Sequence, residues 1–227
     1  MNKTIHYCWF GHNKKSRKIL KCISSWEKFF PDWEIKEWNE DNFDINCCNY
    51  VKTAYELKKW AFVSDYCRFF VLHAYGGLYF DVDVEVIKPF PSNIFDSPFL
   101  GLETGKEVSI APGLAFFTHA GDRFCCNMLR QYEKEAFVKD GFTFKTICQR
   151  SVEYFASKGF KTIDKFQSID GYNIYPSEYF CPLNNYTRKT HFTNNTLAIH
   201  LYLGSWLSKK ERLSISLNRF LRKIGLK

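Results

Sequence analysis

No C-x-x-C pair occurs in the chain, and its nine cysteines are odd in number, with two adjacent pairs, Cys47-Cys48 and Cys125-Cys126. Both a zinc knuckle and a secreted disulfide framework are therefore disfavoured; reduced, mostly buried thiols are expected. No apolar run is long enough to cross a bilayer. The most apolar stretch, Ala61 to Leu78, is interrupted by Asp65, Arg68 and His73, and a span needs about 18 or more nearly uncharged residues. The opening MNKTIHYCWF lacks a long apolar region and a small-residue cleavage site, so folding from the first residues and a cytoplasmic location are expected. Three N-x-[ST] sequons, at Asn2, Asn185 and Asn194, occur at a frequency that chance explains. There is no internal repeat and no low-complexity linker.

What is present is a chain of 227 residues, 45% apolar and 25% charged. That is the size of one domain, or a core with a small appendage, and it excludes disorder and coiled coil as overall descriptions. Aromatic residues reach 19%, enough to fill a large core and leave rings over for ligands. The net charge is +8, but the segment from Ser208 to Lys227 carries seven basic residues against Glu211 alone, or +6 of it. The rest of the chain is nearly neutral. We therefore divide the chain into one main folded unit over residues 1–206 and a basic amphipathic helix over 207–227.

Hydrophobic periodicity organises the first unit. Thr4 to Phe10 predicts a strand. Ile19, Leu20, Ile23, Trp26 and Phe30 recur at helical spacing after Ser16, and Trp33, Ile35 and Trp38 predict a second strand. This βαβ opening favours an α/β fold with a parallel sheet and covering helices. One or two helices are predicted over Thr53 to Tyr75. Strands are predicted at Leu78–Phe80, at Phe99–Leu102, at Gly113–Phe117 and over Leu197–Leu203, and helices over Asp122–Glu135 and Thr146–Ser157.

The chemistry concentrates in Gly76-Gly77-Leu78-Tyr79-Phe80-Asp81-Val82-Asp83. Glycines permit a tight turn and close approach of a ligand, and a strand then delivers two carboxylates at its end. Ligands of open α/β sheets bind beyond strand carboxyl ends. In a continued strand, Asp81 and Asp83 would face one side, where they suit a hard divalent cation with phosphate oxygens and water. Upstream, Ser64, Asp65 and Arg68 interrupt an apolar helix. Asp65 and Arg68, three apart, share a face, and burying such charges among aromatics demands partners. His200 precedes Gly204-Ser205-Trp206, and Trp9 closes the first strand.

These segments together resemble glycosyltransferase family 32: IHYCWFG, CISSW, PDWEIKEWNEDNFD, KKWAFVSDYCRFFVLHAYGGLYFDVDVEVIKPF, YPSEYFCP and IHLYLGSW occur in the family's order over about residues 4 to 206. That family includes capsular-polysaccharide and initiating α-mannosyltransferase-like enzymes and is related to glucosylating toxins. The resemblance implies a GT-A-type nucleotide-sugar-binding fold, with a mixed, mainly parallel central sheet flanked by helices, and a divalent metal, Mn²⁺ or Mg²⁺. It implies transfer, with retained anomeric configuration, from a nucleotide sugar, a UDP-sugar ahead of a GDP-sugar, to a glycan or lipid-linked glycan in surface or capsular polysaccharide synthesis. It assigns the metal to Asp81, Asp83 and His200, and catalysis to Asp81, Asp83 and Arg68. Donor binding falls to Trp9, Asp65, Arg68, Gly76, Gly77, Tyr79, Asp81, Ser205 and Trp206. Trp9 would stack on the base, and Ser205 and Trp206 would reach the phosphates. The toxins have Asn where this chain has His200.

Two other readings fit single features. A haloacid-dehalogenase-type phosphatase carries D-x-D-x-[TV] after a strand, but Glu85 stands at the fifth position here and about 80 residues precede the motif. A nucleic-acid-binding module would use the aromatics and the charge, but that charge sits apart from the aromatic motifs. In the basic segment, Leu213, Leu217, Phe220, Leu221 and Ile224 form one helical stripe. This predicts a helix that either packs on the core or lies on an anionic membrane surface at the cytoplasmic leaflet.

Overall fold

The computed structural model describes residues 2–137 and 145–205. The basic segment and Trp206 lie outside the described residues, as do the expectations attached to them.

The chain opens as the periodicity predicts. Strand β1 (Thr4–Cys8) leads through helix α1 (Arg17–Phe29) to β2 (Glu34–Trp38), and β1 and β2 pair in parallel. Ser16 caps α1 by accepting the Ile19 N–H. Two helices follow, α2 (Asn49–Glu56) and α3 (Trp60–Tyr75), then β3 (Gly77–Tyr79) and β4 (Val84–Val86). A 3-10 turn (Ser92–Asp96) leads into β5 (Phe99–Thr104), β6 (Val108–Ile110) and β7 (Phe116–Thr118). Helices α4 (Arg123–Lys134) and α5 (Ile147–Ala156) come next; Asp122 caps the first, and Thr146 forms a capping box with Gln149 on the second. The hairpin of β8 (Gln167–Ile169) and β9 (Tyr172–Tyr175), the short helix α6 (Ser177–Phe180) and β10 (Ala198–His200) complete the described chain.

The central sheet has the order β2-β1-β3-β7-β5-β9-β8, with β6 on β5; β10 pairs with β4 in a separate two-stranded sheet. The pairings give β1, β2, β3, β5 and β9 one direction and β6, β7 and β8 the other. The result is a mixed, mainly parallel sheet flanked by helices, the fold class expected. Its carboxyl edge collects the ends of β1, β3, β5 and β9.

Alternation along the strands divides the core between two faces. Tyr79, Leu100, Leu102 and Phe116 pack on one side with α2, α3 and α4, while Ile5, Leu78, Phe99 and Phe117 pack on the other with α1. Aromatics fill both. Fully buried Trp26 stacks on Phe80 at 5.4 Å and donates its indole N–H to Val84 O at 2.8 Å, tying α1 to β4.

The two glycines ahead of the DxD segment have packing reasons. Gly76 (φ 65°) closes α3, and a Cβ there would lie 2.7 Å from Ala120 N; Gly77 (φ 102°) would place one 2.6 Å from Thr4 O. Both sit at the opposite end of β3 from the aspartates. The donor contact expected of Gly76 and Gly77 is replaced by this turn. Gly76 O also meets His6 Nε2 at 2.9 Å, while His6 Nδ1 accepts the Trp38 indole N–H at 3.1 Å. His6 is thus neutral with its proton on Nε2, and burial pushes its pKa down to about 4, with the Gly76 bond opposing.

Its unfolded value is the higher, so the unfolded chain takes up a proton first as pH falls through about 6.5, and stability is lost from there toward about 4. Urea unfolding is expected to lose roughly 2 kcal/mol from this residue between pH 7.5 and 5. The same comparison in His6→Gln should show a shallower pH slope by that amount.

Candidate active site

Strand β3 ends at Tyr79, one residue before the expected Phe80, and the chain then turns: Val84 N–H donates to Asp81 O at 3.0 Å. Asp81 and Asp83 therefore do not lie along one continued strand. The turn sends the two carboxylates to different partners at the same edge of the sheet.

Asp81 faces helix α3. Its Oδ1 lies 3.1 Å from Arg68 Nη2 and accepts the Tyr79 hydroxyl at 3.2 Å. The same Arg68 nitrogen reaches Asp65 Oδ1 at 3.0 Å, so one guanidinium joins the helix pair to the strand-end carboxylate. Arg68 is only 4% exposed and lies over the Tyr79 ring at 4.8 Å. Burial lowers its hold on the proton, but Asp81, Tyr79 and Asp65 outweigh that, and it stays a cation. Burial pushes Asp65 up to about 6, against the pull of Arg68. The helix face read from the sequence is thus real, and its charges are satisfied by the site itself.

Gly113 makes this geometry possible. Its carbonyl accepts the Asp81 N–H at 2.8 Å, and a Cβ in its place would lie 1.9 Å from Asp81 Oδ2 and 2.9 Å from Arg68 Nη1. The sequence reading missed it, because one glycine between Pro112 and Leu114 carries no motif.

Asp83 faces the other way and is buried. Its Oδ1 lies 3.1 Å from His200 Nε2, and its Oδ2 accepts the Leu203 N–H at 2.7 Å. His200 arrives through the antiparallel pairing of β10 with β4, which sets it opposite Val84. Burial raises the Asp83 pKa and lowers that of His200, yet the pair's mutual attraction overrides both. Asp83 ends below the usual carboxylate range and His200 well above the usual imidazole range. Behind His200, the Tyr202 ring lies at 4.1 Å, and its hydroxyl donates to Glu103 Oε2 at 2.9 Å. Tyr202 and Glu103 are site neighbours the sequence reading did not name.

Among the described residues, no group of three or more His, Cys, Asp and Glu side chains forms a ready metal site. Asp83 Oδ1 and His200 Nε2 provide one oxygen and one nitrogen donor side by side, and Asp81, 29% exposed at its side chain, stands on the same turn. This donor set fits a cation only if diphosphate oxygens and water supply the remaining ligands, as suits a site that binds metal with its substrate.

Trp9 follows β1 at the same edge. Its indole N–H donates to Asn13 O at 2.6 Å, and Lys15 Nζ lies 5.5 Å from its ring centre. Nearby, Glu40 Oε1 accepts from Gly11 N–H and the Tyr55 hydroxyl, while Oε2 is buried without a hydrogen-bond partner. Ser205 is the last described residue of its segment. No described helix is long and apolar enough to cross a membrane.

Residues 16–100 match the family described as "glycosyltransferase sugar-binding region containing DXD motif". This region holds Asp65, Arg68, Asp81 and Asp83. Among curated proteins, the chain is 27% identical over 126 residues to "Subversion of eukaryotic traffic protein A" of Legionella pneumophila, a match covering 44% of this chain and 19% of that protein. The chain thus spans about a fifth of the length of the curated relative it matches. Among solved structures, it is similar to the PaToxG glycosyltransferase (18% identity, TM-score 0.41, 57% of this chain and 59% of that one). It is also similar to an active-site mutant of LgtC (13% identity, TM-score 0.44, 95% of each chain). The match over residues 16–100 makes that stretch similar to a glycosyltransferase sugar-binding region, and the chain carries a D-x-D sequence within it at Asp81-Val82-Asp83.

Gly113→Ala is expected to remain folded, since the glycine's φ is not in the left-handed region, but to displace Asp81 and Arg68. A displacement near 1 Å costs roughly 100-fold in turnover. Donor-hydrolysis kinetics alongside circular dichroism check this; wild-type turnover in a folded variant would contradict the placement.

Proposed function

We propose that the chain is a metal-dependent, retaining glycosyltransferase. It moves a sugar from a nucleotide sugar, a UDP-sugar first, to a hydroxyl of a glycan or lipid-linked glycan, in surface or capsular polysaccharide synthesis at the cytoplasmic face of a membrane. One observation carries the reading: within and beside the DXD region, a sheet edge gathers the Arg68–Asp81 pair and the Asp83–His200 pair.

In this reading Asp83 and His200 hold a divalent cation, with Asp81 supporting it through water and contacting the donor ribose. Mn²⁺ suits a set that mixes carboxylate with imidazole. When bound, that cation neutralises charge building on the departing diphosphate. The protein's own residues do the rest. Arg68 acts through Asp81 in this reading: its guanidinium is shared between two carboxylates and nearly buried, which suits it to positioning Asp81. Trp9 follows β1, the strand beside β3, and Glu40, with its buried acceptor, follows β2, the strand beyond β1; in this reading they form the nucleoside side of the site. The family resemblance gives Ser205 and Trp206 to the phosphates in this reading. The bond from the anomeric carbon to the phosphate oxygen breaks, the acceptor oxygen attacks from the same face, and its proton passes to a phosphate oxygen of the leaving group.

Many transferases hydrolyse their donor slowly without an acceptor. A screen of UDP- and GDP-sugars with Mn²⁺ is expected to show such hydrolysis, and excess chelator should silence it. Asp83→Asn keeps an acceptor for the Leu203 N–H but holds a cation weakly, so turnover should fall by roughly 100-fold in a folded protein. Full activity in that variant, or in chelator, would overturn the metal assignment.

A further inference from the structure

A second concavity opens on the carboxyl edge of the sheet, on the side away from Trp9. Strands β5 and β9 run in the same direction as β3. Thr104, which ends β5, and Pro176, which follows β9, therefore lie on the edge where Asp81 and Asp83 turn. Thr104 and Pro176 line a cavity of about 590 Å³, a volume that takes roughly a di- or trisaccharide. It adjoins the metal-pair residues through a short chain of contacts. Tyr202 packs on His200 and donates to Glu103, and Thr104, the next residue, is a wall of the cavity.

The lining joins one exposed ring to polar groups of both signs. Phe166 is 53% exposed, yet its ring is held edge-on against Tyr175 at 5.4 Å, so it presents a fixed apolar surface at the cavity. Of the eight large hydrophobic residues exposed among those described, four (Ile163, Phe166, Tyr186 and Phe192) fall between residues 163 and 192. The formal charges of the lining balance: Lys165 and Lys189 against Asp164 and Glu178. Both carboxylates are fixed in place. Asp164 accepts from Ser177 N–H at 2.7 Å and Ser177 Oγ at 2.6 Å, and Glu178 Oε1 accepts from Asn195 Nδ2 at 2.9 Å. A balanced lining gives no net attraction for an acidic ligand, and fixed acceptors beside ammonium donors suit hydroxyl groups. An exposed ring face suits the apolar C–H face of a sugar.

We infer that this cavity is the acceptor subsite and that it takes an uncharged glycan, with Phe166 as its stacking ring and Lys189, Asp164 and Glu178 as its hydroxyl partners. The inference rests on the transferase reading above and extends it to the acceptor.

Saturation-transfer NMR on the full chain tests it with neutral linear trisaccharides of glucose, mannose, galactose and N-acetylglucosamine, and with trigalacturonic acid as the acidic probe. At least one neutral trisaccharide is expected to bind, and more tightly than the acid. Phe166→Ala should weaken that binding by roughly fivefold to tenfold, and Phe166→Tyr should restore it. Circular dichroism should show both variants folded. Failure of every neutral trisaccharide to bind, preference for the acid, or unchanged affinity in Phe166→Ala would overturn the inference. Absence of donor hydrolysis in the wild type, with Phe166-dependent binding intact, would instead count against the transferase reading alone.

Discussion

A carboxylate drawn out of water must be given a cation or hydrogen-bond donors, and this site is arranged around two such carboxylates. The turn after β3 brings Asp81 and Asp83 to the sheet edge and sends them apart. Asp81 is answered by Arg68 from α3 and Asp83 by His200 from β10. Each partner comes from an element whose position the fold fixes independently: α3 by its packing on β1 and β3, and β10 by its ladder with β4. The Asp83–His200 contact joins segments 117 residues apart. In the proposed reading a divalent cation would compete with a proton for the space between that carboxylate and that imidazole.

Much of this was legible in the sequence, for reasons that can be named. Periodicity located β1, α1, β2 and the helices later capped by Asp122 and Thr146, because each buries one regular face. The three-residue spacing of Asp65 and Arg68 gave their shared helix face, and an apolar helix around them demanded a partner. Periodicity placed the end of β3 within one residue, but it could not give the turn that follows. Leu78 to Val86 alternates as one strand would, and only the bond from Val84 N–H to Asp81 O shows the break. The Gly76-Gly77 pair was read as ligand-facing, when backbone on both sides leaves room for no side chain. The hairpin of β8 and β9 was missed although its signal is present. Asp170-Gly171, with φ of 53° and 82°, is the two-residue turn that such hairpins favour, but the flanking strands are short and carry polar residues.

The sheet's direction also divides the labour of the site. Ends of β1 and β3 carry Trp9 and the charged pairs, while ends of β5 and β9 carry the concavity with the exposed ring. The Tyr202–Glu103 contact stands between the halves, and Tyr202 adopts a left-handed φ of 51° that holds its ring against His200. A side chain without a glycine's freedom keeps such a conformation only where its surroundings fix it. Here the hydroxyl is bonded to Glu103 and lies 3.0 Å from Cys181 Sγ.

The central claim is that two protein donors suffice because the substrate's diphosphate completes the metal shell. Mn²⁺ binding, followed by electron paramagnetic resonance with and without UDP, tests it most directly. The account predicts weak Mn²⁺ binding alone, at least roughly tenfold tighter binding with UDP, and the same factor in UDP affinity when Mn²⁺ is added. Loss of that coupling in Asp83→Asn would assign it to the pair. Equal Mn²⁺ affinity in the presence and absence of UDP would contradict the account.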